Sequence, residues 1–390
     1  MADTPQECYY ETEKWRVRDF SEKNPQGIIY YYWTYDEKGK RIFRTTGKRD
    51  FTEAVRYCRT LQKKGQLYIS SAFRFDMYTK DFFDYGSCPY IQSRLLRGYS
   101  YTQGWAQRQR SLLVKTIQPF FSTTDIRTVS SRSIDEFILK LKKDGTGTKT
   151  LNHILTVLKV IFGYAVRNGL IERNPAEGLR PFNTRTREKG IFSREELRKL
   201  FGTPESSGLW KNRTHLLINC IAATTGMRLG EILALKSEDI TETGITVSHS
   251  WNRLDGLKGT KTGRTRTVPL KPELRKAIDT FTADKSPEGF IFSTNGGATP
   301  INHKTVYVHF WRALDNIGIG KAERERRNIS FHSYRHTFNT LLLEAGLPPE
   351  TVRLMTGHSP QMTAHYSHVQ LGNMPEVTEV QELSCSQVFV

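Results

Sequence analysis

Residues 214–235 read THLLINCIAATTGMRLGEILAL. From Thr214 to Thr225 the run is strongly apolar and reads as a helix. Gly226 interrupts it, and a second helix is predicted through Leu235. Arg228 stands where the first helix ends and the next begins. Gly226 and Gly230 flank it and would let backbone or ligand approach closely. Glu231, three residues on, can pair with it across one helical turn.

The rest of the largest predicted domain follows outward from this pair of helices. Ser193-Arg194-Glu195-Glu196 has the form of a capping box, so a helix begins near Arg194. Residues 244–270 turn to strands: GITVSHSW, a Gly/Lys/Thr hairpin, then RTRTVPL. Past Pro272 the pattern is helical again, through Thr305–Ala313, the segment around Tyr334–Ala345, Pro349–Met355 and Met362–Tyr366. Upstream, ERNPAEGLRPFNTRTREKG has the Pro, Gly and cation content of a linker. Before it, Ile134, Phe137, Ile138 and Leu141, then Leu151, Ile154, Leu155, Leu158, Ile161, Phe162 and Ala165, repeat at helical spacing. Gly169 is a plausible helix stop.

Nearer the start, Ile28–Tyr35 and Arg41–Thr46 are β-rich runs joined by a turn-type Asp36-Glu37-Lys38-Gly39. A helix follows, with Ala54, Tyr57, Cys58 and Leu61 as its apolar face. The expected fold class is mainly α with small β-sheets (α+β). Its expected parts are a three-stranded sheet plus helix over 1–66, a helical domain over 67–180 and a linker over 181–189. A mostly helical domain with a β-hairpin over 190–370 and a tail over 371–390 complete it.

The chain has 390 residues, a formal charge of +18 and a pI near 9.6. At roughly 100–200 residues per domain, two or three domains are expected. A charged fraction of 25% with 37% apolar residues is that of a folded protein. The strong positive balance points to a polyanionic partner. The five cysteines are scattered with no CxxC pair, which suggests neither a zinc ribbon nor a disulfide framework. The N-terminus has no secretory h-region, and no run reaches the roughly 18 apolar residues of a membrane span. A cytosolic protein not associated with a membrane is the expectation.

Four stretches carry chemistry: TGMRLGE (225–231), GTKTGRTRTVPL (259–270), SFHSYRHTF (330–338) and TGHSPQMTAHYSH (356–368). Arg228, oriented by Glu231, offers a fork suited to two phosphate oxygens. Lys258, Thr260, Lys261, Thr262, Arg264 and Arg266 crowd one hairpin. Lys261 in its turn is the candidate to protonate a leaving 5′ oxygen, with Lys258 as the alternative. His332 and Arg335 are i and i+3 on a helix and face one way, while His336 points elsewhere. Two arginines on one pair of non-bridging oxygens would stabilise a pentacovalent phosphorane. His332 titrates near neutrality and could act as acid or base. His358 sits in a loop, and Tyr366 follows eight residues later. A free phenol has a pKa of about 10 and needs such cations to become a nucleophile. No carboxylate or cysteine completes a metal set with His358, His365 and His368.

These motifs resemble the tyrosine recombinases, or phage-type integrases. The family's order of Arg, Lys, His-x-x-Arg, His or Trp, then Tyr is met by Arg228, Lys261, His332 with Arg335, His358 and Tyr366, with Glu231 at its acidic position. The resemblance covers roughly 187–370. Residues 68–180 look like the family's helical core-binding domain, and 8–66 are similar to a three-stranded arm-binding domain. One departure is the gap before Tyr366, commonly nine residues and here eight. A shortened loop accounts for it.

The resemblance implies that Tyr366 forms a 3′-phosphotyrosyl bond and that strands exchange through a Holliday junction in a tetramer. It implies no nucleotide, metal or other cofactor. It implies double-stranded DNA as partner, at core and arm sites, with accessory proteins that bend DNA or set direction. DNA contacts are then expected from Lys40, Arg41, Arg44 and Lys48 on the small sheet, from Arg108, Arg110 and Lys115, from Arg185 and Arg187, and from Lys258 and Arg264. For the sheet, a solvated hairpin face is the other reading. The tail, ending Gln387-Val388-Phe389-Val390, would dock on a neighbouring subunit; fraying is its alternative. A type IB topoisomerase-like enzyme and a non-catalytic DNA-binding protein of the same fold are the competing functions.

Overall fold

The computed structural model describes residues 16–19, 29–35, 41–63, 73–184, 187–202, 208–242, 244–260, 263, 265–357, 377 and 380. The chain divides into two compact units, Met1–Arg185 and Thr186–Val390. The architecture is mainly α with small antiparallel sheets.

In the first unit β1 (Arg16–Asp19), β2 (Tyr30–Tyr35) and β3 (Arg41–Thr45) form an antiparallel sheet in that order. Helix α1 (Phe51–Lys63) covers it. Tyr32 of the central strand is buried with Ala54 and Cys58, and Phe51 and Val55 pack around them. The packed face is therefore Phe51, Ala54, Val55, Cys58 and Leu61. This corrects the expected face at Tyr57 alone, which is exposed. The i, i+3, i+4, i+7 pattern begins at Phe51, one ridge earlier than the sequence suggests.

The helical part runs α2 (Phe75–Tyr78), α3 (Pro89–Leu96), α4 (Gln103–Leu112), a π-helical turn at Leu113–Ile117, α5 (Gln118–Phe121), α6 (Ser131–Lys143) and α7 (Thr148–Arg167). Helix α7 buries the expected stripe, Leu151, Ile154, Leu155, Leu158, Ile161 and Phe162. Each such side chain contributes about 1.5–3 kcal/mol when fully buried. Phe75, Phe121 and Phe137 close the same core.

The second unit begins with α8 (Arg194–Phe201), capped by the reciprocal Ser193–Glu196 box. It continues with α9 (Arg213–Thr225) and α10 (Leu229–Leu233). Four strands follow: β4 (Gly244–Val247), β5 (His249–Asn252), β6 (Gly256–Gly259) and β7 (Arg266–Pro269). Then come α11 (Pro272–Thr282), α12 (His303–Asn316), α13 (Lys321–Arg327), α14 (Ser333–Glu344) and α15 (Pro349–Thr356). Every residue of α9 from His215 to Thr225 is buried, so this helix is the axis of the unit.

The strands differ from the expected single hairpin. β4 pairs with β7 and β5 pairs with β6, so GITVSHSW is two strands that part at Ser248. β4 is mostly buried, whereas β5 runs out toward solvent. The tight turn lies between Asn252 and Gly256.

The expected linker is partly built into this unit. Arg187 donates to the Arg326 carbonyl, and the Asn328 side-chain amide donates to the Glu188 carbonyl at 2.8 Å. A β-carbon at Gly190 would collide with the Arg327 carbonyl oxygen, so the backbone could not pass there unshifted with any larger residue.

Candidate active site

Helix α9 ends at Gly226, whose φ of 62° takes the left-handed conformation that closes a helix. Its neighbour Phe338 of α14 would lie 2.7 Å from any β-carbon there. Gly230 is packed as tightly against Ser250 and Trp251 of β5. The close approach expected at the two glycines is thus made by α14 at Gly226 and by β5 at Gly230. The tight junction fixes Arg228 as the N-cap of α10.

Glu231 is 2% exposed and organises what surrounds Arg228. Its Oε2 accepts the Arg228 backbone N–H at 3.0 Å, and its Oε1 accepts Arg228 Nη1 at 2.8 Å. Arg228 Nη2 donates to the Gly357 carbonyl at 3.1 Å. The Arg228 side chain remains 27% exposed, so its fork is held from behind and still open to a ligand.

A second guanidinium reaches the same carboxylate. Arg266 Nη2 donates to Glu231 Oε2 at 2.6 Å, and its Nε donates to the Met355 carbonyl at 2.8 Å. In the sequence, Arg266 is one donor among several in a basic hairpin. In the fold it is buried, because β7 alternates and Arg266 points inward with Val268. That alternation in RTVPL is the signal that could have found it. Burial alone would raise the Glu231 pKa; the Arg266 charge, then the hydrogen bonds from Arg266 and Arg228, reverse this and hold it below the ordinary range.

Arg335 of α14 is 1% exposed, and its Nη1 donates to the Gly226 carbonyl at 3.0 Å. Burial first, then the Arg228 charge, push its pKa down to about 9; Glu231 opposes the push and Arg266 adds to it. It is still a cation at neutral pH. Around it, three guanidiniums face one carboxylate, which leaves two positive charges in excess.

His332 caps α14 at the mouth of the site and is exposed, yet its ring is crowded. Burial of the ring, then His336, Arg335, Arg228 and Lys189, push its pKa down to about 4. The imidazole is therefore neutral at pH 7, not poised near its transition as expected from sequence. His336 does not point elsewhere: its ring meets His332 edge to face at 5.0 Å, since i and i+4 share a helix face. Lys189, from the linker, acts on both imidazoles and belongs to none of the four motifs.

Lys261, Arg264, His358, Tyr366, Lys40 and Arg185 lie outside the described residues. Among the other candidates, Lys258 pairs with Asp255 at 3.0 Å on its own hairpin. Arg110 donates to the Lys80 and Phe82 carbonyls, so it serves the fold. Arg108 and Lys115 are exposed on α4 and the turn that follows. On the small sheet the register divides the basic residues. Arg41 opposes Tyr35, while Arg44 opposes Tyr32, which is buried beneath α1. Arg44 is exposed at the edge of that helix-covered side, and Lys48 lies 3.8 Å from Glu53.

Residues 191–372 match the phage integrase family. The ICEBs1 integrase of Bacillus subtilis (strain 168) is 25% identical over 291 residues, which is 70% of this chain and 76% of that protein. A tyrosine recombinase of Pseudothermotoga lettingae is 29% identical over 250 residues, 63% of this chain and 80% of its own. Among solved structures, the Tn1549 transposon integrase in complex with a circular intermediate DNA superposes with a TM-score of 0.55 at 21% identity. It covers 75% of this chain and 92% of that one. A lambda integrase tetramer bound to a Holliday junction gives 0.54 at 18% identity, over 90% and 99% of the two chains. At these identities the structures establish a shared fold. Residues 191–372 therefore carry a phage integrase family domain, and the relatives this chain resembles are integrases and tyrosine recombinases.

Proposed function

We propose that the chain is a site-specific recombinase that cuts and rejoins double-stranded DNA to integrate or excise a mobile element. The observation that carries this is the Arg228–Glu231–Arg335 arrangement, with Arg266 behind it. A phosphodiester carries one negative charge, and the pentacovalent species formed on attack carries two. Two excess positive charges held in a buried site answer that change. Removing one such donor typically costs on the order of 10²–10³ in rate.

In the reaction, the Tyr366 oxygen bonds to phosphorus and the P–O5′ bond breaks. Arg228 and Arg335 hold the non-bridging oxygens. The phenol proton passes to a neutral imidazole, His332 or His358. The O5′ leaving group takes a proton from Lys261. The bond energy is kept in the phosphotyrosine, and the 5′ hydroxyl of the partner strand reverses the step. Two rounds through a Holliday junction recombine two duplexes within a tetramer. That assembly, the exchange of C-terminal tails, arm-site binding by the small sheet and help from DNA-bending or directionality proteins complete the reading, as does action at the nucleoid in the cytoplasm. Among the described residues no helix is long and apolar enough to cross a membrane.

The test is a plasmid carrying two directly repeated cognate sites. Excision of the intervening segment is expected. Relaxation of a plasmid without any site, and no excision, would replace this reading with a topoisomerase.

A further inference from the structure

Strand β7 places a third guanidinium, Arg266, beneath the two that would meet phosphate. Its side chain is 7% exposed, so it is poorly placed to contact DNA itself. Its hydrogen bonds run inward. Nη2 and Nη1 donate to the two Glu231 oxygens at 2.6 and 3.4 Å, and Nε donates to the Met355 carbonyl at 2.8 Å. Arg228 is held through the same two bodies, by Glu231 at 2.8 Å and by the Gly357 carbonyl at 3.1 Å. Met355 and Gly357 flank the end of α15 and stand two residues apart. One planar side chain therefore ties together the carboxylate and the helix end that set the Arg228 fork.

We propose that Arg266 is a positioning residue for phosphate capture: it fixes Glu231 and the last turn of α15, and these hold Arg228 in its working orientation. The proposal rests on the recombinase reading above. Its charge is also the largest of the attractions that keep Glu231 ionised. A lysine could supply the charge, but not three donors in one plane. A residue that merely rivets β7 to α15 would stabilise the unit without any particular link to phosphate charge.

The test separates these roles by changing the substrate. Full-length wild type, Arg266→Lys and Arg266→Gln react with a nicked suicide duplex carrying the cognate site. One duplex has an ordinary scissile phosphate. The other has a methylphosphonate, in which a methyl group replaces one charged non-bridging oxygen. Single-turnover rate constants for covalent adduct formation are compared, so an unfolded fraction lowers the amplitude and leaves the rate constant. On ordinary phosphate both variants should be slower by about tenfold or more, the lysine variant less than the glutamine one. On methylphosphonate their deficits relative to wild type should shrink to about threefold or less, because a neutral phosphorus centre demands less of Arg228. Equal deficits on the two substrates, or none on either, would overturn the positioning role. A wild-type protein that forms no adduct on ordinary phosphate would overturn the recombinase reading itself.

Discussion

Arg127 in the first unit and Arg266 in the second are both buried guanidiniums, with side chains 3% and 7% exposed. Arg127 is paired with Asp125, two residues away, at 2.6 Å, and lies 4.0 Å from the Phe73 ring. One cation meets one anion, and both come from a single turn of chain. Arg266 shares Glu231, 35 residues away, with Arg228, while Arg335 sits close by with its own bond to the Gly226 carbonyl. Three cations there meet one anion, and they come from three separate elements, α10, β7 and α14. The first arrangement closes a fold. The second leaves positive charge over, which costs stability in the free protein and is repaid when a dianionic transition state arrives.

Glu231→Ala should break the contrast most strongly. It removes the carboxylate whose charge opposes the downward push on Arg335, and should destabilise the protein by about 3–5 kcal/mol in denaturant titration. An effect no larger than that of Arg127→Ala would mean that the cluster is an ordinary ion pair.

Acid should sharpen it next. His215 of α9 stacks on His309 of α12 with ring centroids 4.1 Å apart. Burial, then His309, then Lys211 push the His215 pKa from 6.5 down to about 4. The unfolded chain then binds the extra proton first. Stability from this group is complete above about pH 6.5 and falls as pH drops to about 4, by roughly 1–3 kcal/mol. Thermal melts across that window check it, and His215→Phe should flatten the slope.

Arg127→Ala should cost about 1–2 kcal/mol and leave the rate constant of DNA cleavage unchanged, since its pair is local. Lys258→Ala should be smallest, within about 0.5 kcal/mol, because the ammonium is well exposed and Asn252 still donates to the Asp255 carboxylate. It should also cleave normally, whereas Lys261→Ala should cleave slowly and recover on a duplex whose leaving 5′ oxygen is replaced by sulfur. A cleavage defect in the first variant only would exchange the two lysines.

Much of this arrangement is legible in the chain. The capping box at Ser193, the buried stripe of α7 and the Gly226 break are short-range patterns, and local chemistry decides them. What escapes depends on distant partners. Tyr57 and Val55 exchange roles because the sheet beneath α1 selects the face. Arg266 hides in a basic run because its carboxylate lies on another element. The neutrality of His332 comes first from burial of its ring, then from His336 and from cations contributed by α14, α10 and the linker, which no spacing displays.

The most direct measurement is covalent trapping on a nicked suicide substrate carrying the cognate site, read on a denaturing gel. Wild type should retain a protein–DNA adduct, and Tyr366→Phe should retain none. An adduct that persists in Tyr366→Phe would contradict the assignment of the nucleophile on which the mechanism stands.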